Sequence, residues 1–354
     1  MAKKKQTLPK NFEELIENKD IENLKKVFET CELDARGGYA KSTALGFYSL
    51  PHELVRWLVQ NGADINAVDI YECTALHKQA NARRGDVSLL LEVGANVHAK
   101  DSDGSTALHF AASHGFNVDA VKRLIEHGAN TSTLDEDDRT PLESALILAR
   151  NTDLVNLVEI SRMLLGITPE ITPEMKASVI RRGEDFEFHR ENFNKDYLQE
   201  TDEALNKLYE IYGVPPVKKR IVHDGKSTII VKGETLQKQF EELWELLIPS
   251  GGPAKTAQGE VVRIAGRVRD EINRNGGVNW NSDYRKMLDA YFIHISSGTP
   301  LNADDLKKAD LIIKELRKNG NGNDDSLNFL CDLATKWVIL NPEPILLDKP
   351  AYKR

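Results

Sequence analysis

Apolar residues in the first half of the chain recur at helical spacing in short paired segments, and between Asp103 and Asn130 one pair is complete. Leu108, Ala111 and Ala112 lie on a first segment, and Val118, Val121, Leu124 and Ile125 form the buried stripe of a second. Asp103-Gly104 precedes them as a tight turn, because glycine tolerates positive φ and aspartate can accept a hydrogen bond from the backbone two residues on. Thr106 is placed to cap the first helix, Gly115 to end it, and Gly128-Ala129-Asn130 to stop the second. Small residues on the first helix let the second approach closely. A helix pair this short cannot cover its own apolar faces, so the pattern predicts stacked neighbours on both sides.

Those neighbours are visible. Gly62-Ala63-Asp64, Gly94-Ala95-Asn96 and Gly128-Ala129-Asn130 recur at steps of 32 and 34 residues. Thr43-Ala44-Leu45, Thr74-Ala75-Leu76-His77, Thr106-Ala107-Leu108-His109 and Thr140-Pro141-Leu142 keep phase with them. Two landmarks in register over a period of about 33 residues resemble ankyrin repeats. The resemblance covers residues 11–168 and implies a solenoid of about five units: an N-terminal cap from Asn11, three central repeats, and a last one from Asp135 to Gly166. In the cap, Phe12, Leu15 and Ile16, then Ile21, Leu24, Val27 and Phe28, predict two helices around Asn18-Lys19-Asp20. The chain departs from the family pattern in three places. Gly46 and Glu143 replace the histidine in the first and last full repeats, and Asn81-Ala82-Arg83-Arg84 makes one helix connection unusually charged.

The resemblance also implies where a partner would bind, since hairpin tips and the exposed side of each first helix form the concave surface of an ankyrin stack. It nominates Ile70, Tyr71 and Glu72, then Asp101, Ser102 and Asp103, then Glu136, Asp137 and Asp138, as tips. Lys78, Gln79, Phe110, Ser113 and His114 are expected to face the groove from first helices. Tyr71 and Phe110 beside many carboxylates suit a basic, partly apolar protein partner; the other reading of the acids is that they keep the solenoid soluble. His77 and His109 match the family's structural histidine, which bonds between neighbouring repeats.

After Gly166 the period stops. Thr168-Pro169 and Thr172-Pro173 read as helix entrances, and a connector over 169–235 is predicted to be mostly helical up to Tyr212. Within it, β-branched residues around Asp224-Gly225 predict a small β-hairpin near 219–231. A helical domain is expected over 236–354. Phe240, Leu243, Trp244 and Leu247 mark one helix and Val261, Ile264, Val268 and Ile272 another, with further helices capped by Asn281 or Ser282, by Asn302, and by Asp324 or Asp325. The expected fold class is therefore mainly all-α: a solenoid, then an α-helical bundle with one small β-hairpin.

Charge and cysteine content narrow the function classes. The net charge is −8, and the acid excess lies in the first half, where residues 1–168 hold 19 Lys and Arg against 25 Asp and Glu. No strong basic face is predicted, so no nucleic-acid partner is expected. No apolar run reaches the roughly 18–20 residues that a membrane helix needs, and no signal-peptide core follows the first lysines, so no membrane partner and a cytoplasmic location are expected. Residues 1–10, with Lys3-Lys4-Lys5, read as a disordered, solubilising tail. Cys31, Cys73 and Cys331 are too dispersed for a disulfide framework or a metal site and are expected to be reduced thiols.

Three chemical motifs occur in the second half. Gly252-Pro253-Ala254-Lys255-Thr256 lacks the glycine before Lys and the preceding strand that a phosphate loop requires. The stretch from Asn319 places Asp324 and Leu330 where a calcium loop needs Gly and Glu, which leaves a turn. Glu260, Arg263, Arg267 and Glu271 share one helical face, with Asn275, Asn279 and Trp280 beyond its end. That cluster reads either as an anion or ligand site, with guanidinium groups gripping phosphate or carboxylate, or as a structural charge network with Trp280 in the core. The pattern Leu247-Ile-Pro-Ser-Gly, Thr256-Ala-Gln-Gly-Glu-Val-Val-Arg263 and Asn275-Gly-Gly-Val-Asn-Trp280 is similar to an uncharacterised bacterial domain associated with immunity-like genes near secreted toxins. The likeness implies a bacterial cytoplasmic protein that neutralises a partner and no known catalysis.

Two readings follow. In one, the chain is an interaction scaffold holding a basic partner in its acidic groove; in the other, the C-terminal module is an enzyme or ligand-binding module for a small anionic substrate, with the repeats recruiting targets. No Ser/His or Cys/His arrangement, metal-ligand cluster or paired-carboxylate spacing supports catalysis, and no cofactor is expected.

Overall fold

The computed structural model describes residues 3–83, 85–348 and 350–352. The chain divides into two compact units, one of residues 1–186 with 194–217 and one of residues 187–193 with 218–354. The connector expected at 169–235 is thus shared between them.

The first unit begins with β1 (Lys5–Thr7), α1 (Phe12–Glu17), α2 (Ile21–Thr30), β2 (Cys31–Gly37) and β3 (Ser42–Thr43). The three strands form one sheet in the order β1-β2-β3, with β1 parallel to β2 and β2 antiparallel to β3. The expected disordered tail is therefore a strand from Lys5. Leu8 explains it, because this residue is buried, its N–H donates to the Arg36 carbonyl at 2.9 Å, and glycine at position 37 makes room, since a Cβ there would lie 3.0 Å from that of Leu8. One apolar anchor outweighs three lysines.

Next come α3 (His52–Gln60), α4 (Ala75–Asn81), α5 (Ser88–Glu92), α6 (Ala107–Ser113), α7 (Val118–Glu126), α8 (Pro141–Leu148) and α9 (Leu154–Ile167). They form successive helix pairs in the phase the threonines mark. In α4, the Thr74 N–H donates to His77 Nδ1 at 3.1 Å, while His77 Nε2 meets the Ser105 carbonyl of the next repeat at 3.2 Å. His109 repeats both contacts, with Thr106 N–H at 3.1 Å and the Arg139 carbonyl at 3.1 Å. An Nδ1 that accepts and an Nε2 that donates define one neutral tautomer.

The two departures from the histidine have different outcomes. Glu143 takes over the role, accepting from Thr140 N–H at 3.0 Å and from the Thr172 hydroxyl at 3.4 Å. Gly46 cannot, and the first helix of its repeat shrinks to a 3-10 turn at Ala44–Gly46. In the charged connection, Arg83 pairs with the buried Asp153, whereas Arg84 lies outside the described residues. The unit closes with α10 (Pro173–His189), up to Phe186, and α11 (Lys195–Tyr212), whose Tyr212 hydroxyl donates to Ser161 Oγ at 3.0 Å.

The second unit contains α12 (Leu236–Leu247), α13 (Ala257–Asn275), α14 (Ser282–Ile295), α15 (Ala303–Asn319) and α16 (Asp324–Leu340) around one apolar core. Helix α13 is central and packs against α12, α14 and α16. Glycine at position 266 permits the approach of α12, since a Cβ there would fall 2.2 Å from the Trp244 ring.

No hairpin forms at 219–231. Asp224 does build its turn, accepting from the N–H groups of Lys226 and Ser227 at 2.8 Å. The flanking residues pair elsewhere, His223 N–H with the Leu246 carbonyl and Ile229 N–H with the Pro342 carbonyl, each at 2.8 Å. Just before them, the largely buried Arg220 side chain donates to the carbonyls of Glu245 at 2.7 Å and Trp244 at 3.2 Å. A cation at the exposed carbonyls of a helix C-terminus is favourable, so this segment is held by α12 and not by itself. Among the described residues, the consecutive strands that pair antiparallel are β2 and β3.

Burial lowers the pKa of both His77 and His109, with their carbonyl contacts acting in the opposite direction. A depressed value means that the unfolded chain takes up protons first as pH falls through the ordinary value of 6.5. Their contribution is complete above that pH and is lost below it. Urea unfolding of the full chain should therefore show the repeat unit weakening between pH 7 and 5, and His109→Gln, neutral throughout, should weaken less steeply. An unchanged slope in that variant would contradict this account.

Candidate interaction surface

Each hairpin tip is built around one aspartate. Asp69 Oδ1 accepts from Tyr71 N–H at 2.9 Å and Cys73 N–H at 3.1 Å; Asp101 Oδ1 from Asp103 at 3.0 Å and Ser105 at 2.8 Å; Asp135 Oδ1 from Asp137 at 3.0 Å and Arg139 at 2.9 Å. A carboxylate can accept several N–H bonds, so each aspartate closes its own turn. The tips are then joined: Ile70 N–H donates to the Ala40 carbonyl at 3.1 Å, Ser102 to Tyr71 at 3.0 Å, and Glu136 to Asp103 at 2.9 Å. Lys41, Glu72, Gly104 and Asp138, each two residues before a repeat threonine, all take positive φ. Three non-glycine residues in that left-handed region show how firmly the turns are imposed.

This geometry sorts the nominated residues. Ile70 and Tyr71 are 53% and 44% exposed, and Glu72, Ser102, Asp103, His114, Glu136, Asp137 and Asp138 are exposed as well. Lys78, Gln79 and Phe110 are half-buried. The Lys78 ammonium is 2.6 Å from Asp69 Oδ2, and this pairing outweighs burial to raise its pKa. Phe110 stacks on His114 at 5.2 Å and meets His77 edge-on at 5.5 Å. Asp137 is paired with Arg139 at 2.8 Å. Two nominations are corrected. Asp101 is buried as the turn builder just described, and Ser113 is buried with its hydroxyl donating to the His109 carbonyl at 2.7 Å.

Two surface residues escaped the sequence reading. Tyr39 is 88% exposed and Tyr48 49%. Tyr39 stands four residues before Thr43, as Ile70 does before Thr74, Ser102 before Thr106 and Glu136 before Thr140. The repeat register therefore carried the signal for Tyr39. Both tyrosines border a groove of about 620 Å³ that is also lined by Glu13, Glu17, Phe47 and Lys78.

In the second unit the predicted polar cluster divides in two. Glu260 and Arg263 are fully buried and form a two-point pair, Arg263 Nε to Glu260 Oε2 at 2.8 Å and a terminal guanidinium nitrogen to Oε1 at 2.6 Å. Ala254 N–H and the Tyr352 hydroxyl complete the carboxylate at 2.9 and 2.6 Å. Burial opposes the charge of Glu260, but Arg263 and the other donors prevail and its pKa is lowered. At the other end of α13, buried Glu271 accepts from Asn275 Nδ2 at 3.1 Å, Asn279 N–H at 2.6 Å and the Tyr284 hydroxyl at 3.3 Å. Trp280 stacks on Tyr284 with centroids 4.9 Å apart. Arg267, Asn275 and Asn279 line a groove of about 790 Å³ with Phe240, Trp244 and Arg269.

Residues 46–116 and 78–170 match the family model of ankyrin repeats (3 copies). The chain is similar to an ankyrin repeat protein of Fowlpox virus (strain NVSL), 41% identical over 76 residues, which is 21% of this chain and 22% of the viral one. It is also similar to the B-cell lymphoma 3 protein homolog of Mus musculus, 35% identical over 129 residues, covering 35% of this chain and 28% of the mouse protein. The chain thus spans less than a third of the length of these relatives. With the repeat phase, the histidine bridges and the tip ladder, these matches show that the first unit carries ankyrin repeats. Among the described residues, no helix is long and apolar enough to cross a membrane.

The buried pair of the second unit gives a quantitative expectation. Glu260→Gln leaves the Arg263 charge in the interior and should cost about 3–5 kcal/mol in urea unfolding. The double variant Glu260→Gln/Arg263→Met, which removes both charges, should cost less than the single one. A small effect of the single substitution would show that the pair is solvated.

Proposed function

We propose that the chain is a protein-interaction scaffold that holds a basic, partly apolar segment of a partner on its hairpin tips and first helices. The observation that carries this reading is the tip ladder itself, which presents Ile70 and Tyr71 beside Glu72, Asp103, Glu136 and Asp138 on one rigid row. Exposed aromatic and aliphatic side chains on a preformed surface are the usual anchors of a protein interface, and flanking carboxylates speed the approach of a cationic partner. A stoichiometric complex that neutralises a toxin in a bacterial cytoplasm, as the likeness of the second half implies, is one setting for such binding. The groove beside α13 supports a second reading, a site for a small anionic ligand, but burial withdraws Glu260 and Arg263 from it.

The test is a comparison of faces. A partner captured by the full chain should lose affinity by about ten-fold or more when Ile70→Ala/Tyr71→Ala is combined with Glu136→Lys/Asp137→Lys/Asp138→Lys, because interface anchors carry most of the binding energy. Substitution of exposed α7 residues, Lys122→Ala/Glu126→Ala, should leave it unchanged. A complex insensitive to the tips and sensitive to α7 would contradict the proposal.

A further inference from the structure

The stack is chemically uneven along its tips. At equivalent positions the first two repeats offer Tyr39, Ile70 and Tyr71, whereas the later ones offer Ser102, Asp103, Glu136 and Asp137. Exposed aromatic surface is thus concentrated at the N-terminal end, where the groove of about 620 Å³ lies. Tyr39 and Tyr48 line it with Phe47, whose ring packs edge-on against the buried Phe12 at 5.3 Å and is held in place. Tyr39 also adjoins Tyr71, whose phenol its hydroxyl raises above the ordinary value.

The charges at this groove favour a cation. Its ionisable lining is Glu13, Glu17, Lys19 and Lys78. Lys78 is committed to Asp69 at 2.6 Å, which leaves two carboxylates facing one lysine. Lys78 also lies 6.0 Å from the centre of the ring of Tyr71, which stands beside the groove and not in its lining. Among the described residues no cation sits over Tyr39 or Tyr48. Tyrosine faces attract cations electrostatically, and guanidinium, planar and weakly hydrated, stacks on them better than ammonium does.

We infer that this groove is the anchor site for an arginine side chain on an extended basic segment of a partner protein, the guanidinium lying against Tyr39 and Tyr48 and its charge met by Glu13 and Glu17. The inference rests on the scaffold reading above and names the side chain and the end of the stack that it uses. The acidic tips farther along then align the rest of the segment, and the tyrosines supply the selectivity.

The experiment uses the full chain and a fluorescein-labelled peptide of four Gly-Ser-Arg triplets, with citrulline, lysine and glutamate counterparts, read by fluorescence anisotropy at low salt. The arginine peptide should bind about ten-fold tighter than the citrulline peptide and more tightly than the lysine one. Tyr39→Ala/Tyr48→Ala should weaken it about ten-fold, while Tyr39→Phe/Tyr48→Phe, which keeps the ring faces, should stay within about two-fold. Both tyrosines are exposed, and a circular-dichroism melt checks that the fold is retained. Stronger binding of the glutamate peptide, or no binding of any, overturns the inference. So does loss on Glu136→Lys/Asp137→Lys/Asp138→Lys with none on the tyrosine variants, but that outcome leaves the basic-partner scaffold standing. Binding indifferent to both sets of substitutions removes the two readings together.

Discussion

The first unit depends on a buried, neutral side chain that bonds in two directions. His77 and His109 each hold the N–H of the threonine that starts their own repeat and the carbonyl that ends the tip of the next. Neither repeat can then shift without leaving a buried polar group unsatisfied, a cost of about 1–3 kcal/mol apiece. Glu143 shows that the requirement is for the pair of contacts and not for an imidazole, since a carboxylate meets it at the last repeat with Thr172 as its outer partner. Where Gly46 supplies neither contact, the first helix is only a 3-10 turn and β2 and β3 take its place at the edge of the stack.

This internal scaffolding separates structure from recognition. Thr and Leu, which recur in all four repeats, and Ala, His and the tip aspartates, which recur in two or three of them, face inward or close turns. Those that vary face out. Asp69, Asp101 and Asp135 are engaged within the stack, because Oδ1 of each accepts two backbone N–H groups and Oδ2 meets Lys78, Cys73 and Ser144 respectively. The surface available for binding is set by the residues between these fixed points, aromatic at one end and acidic at the other.

The repeat unit was legible in the sequence because its signals are local and periodic: a threonine cap, a short apolar run and a glycine stop, returning in phase. Side-chain depth was harder. Asp101 stands in register with Asp69 and Asp135, one place before the tips of their repeats, so its nomination as a tip slipped the repeat phase by one residue. The burial of Ser113 follows from its bond to the His109 carbonyl, which spacing alone does not reveal. Asp224-Gly225 gave a true turn and a false hairpin, because the partners of its flanks, Leu246 and Pro342, are distant in sequence. In the same way the Glu260–Arg263 spacing described a helix face correctly but not its depth. The carboxylate is closed from outside by Tyr352, ninety-two positions along the chain, and Gln258 holds the intervening segment by donating to the Asn341 and Glu343 carbonyls at 2.8 and 2.7 Å.

Amide hydrogen exchange, resolved by residue on the full chain, reads most directly whether the histidine bridges hold the tips. In the unaltered protein the N–H groups of Asp103, Ser105, Asp137 and Arg139, all bonded to their turn aspartates, should be protected. In His109→Ala, which releases the Thr106 N–H and the Arg139 carbonyl, protection should fall at 135–139 and persist at 69–73. Equal protection at 135–139 with and without the imidazole would contradict the account.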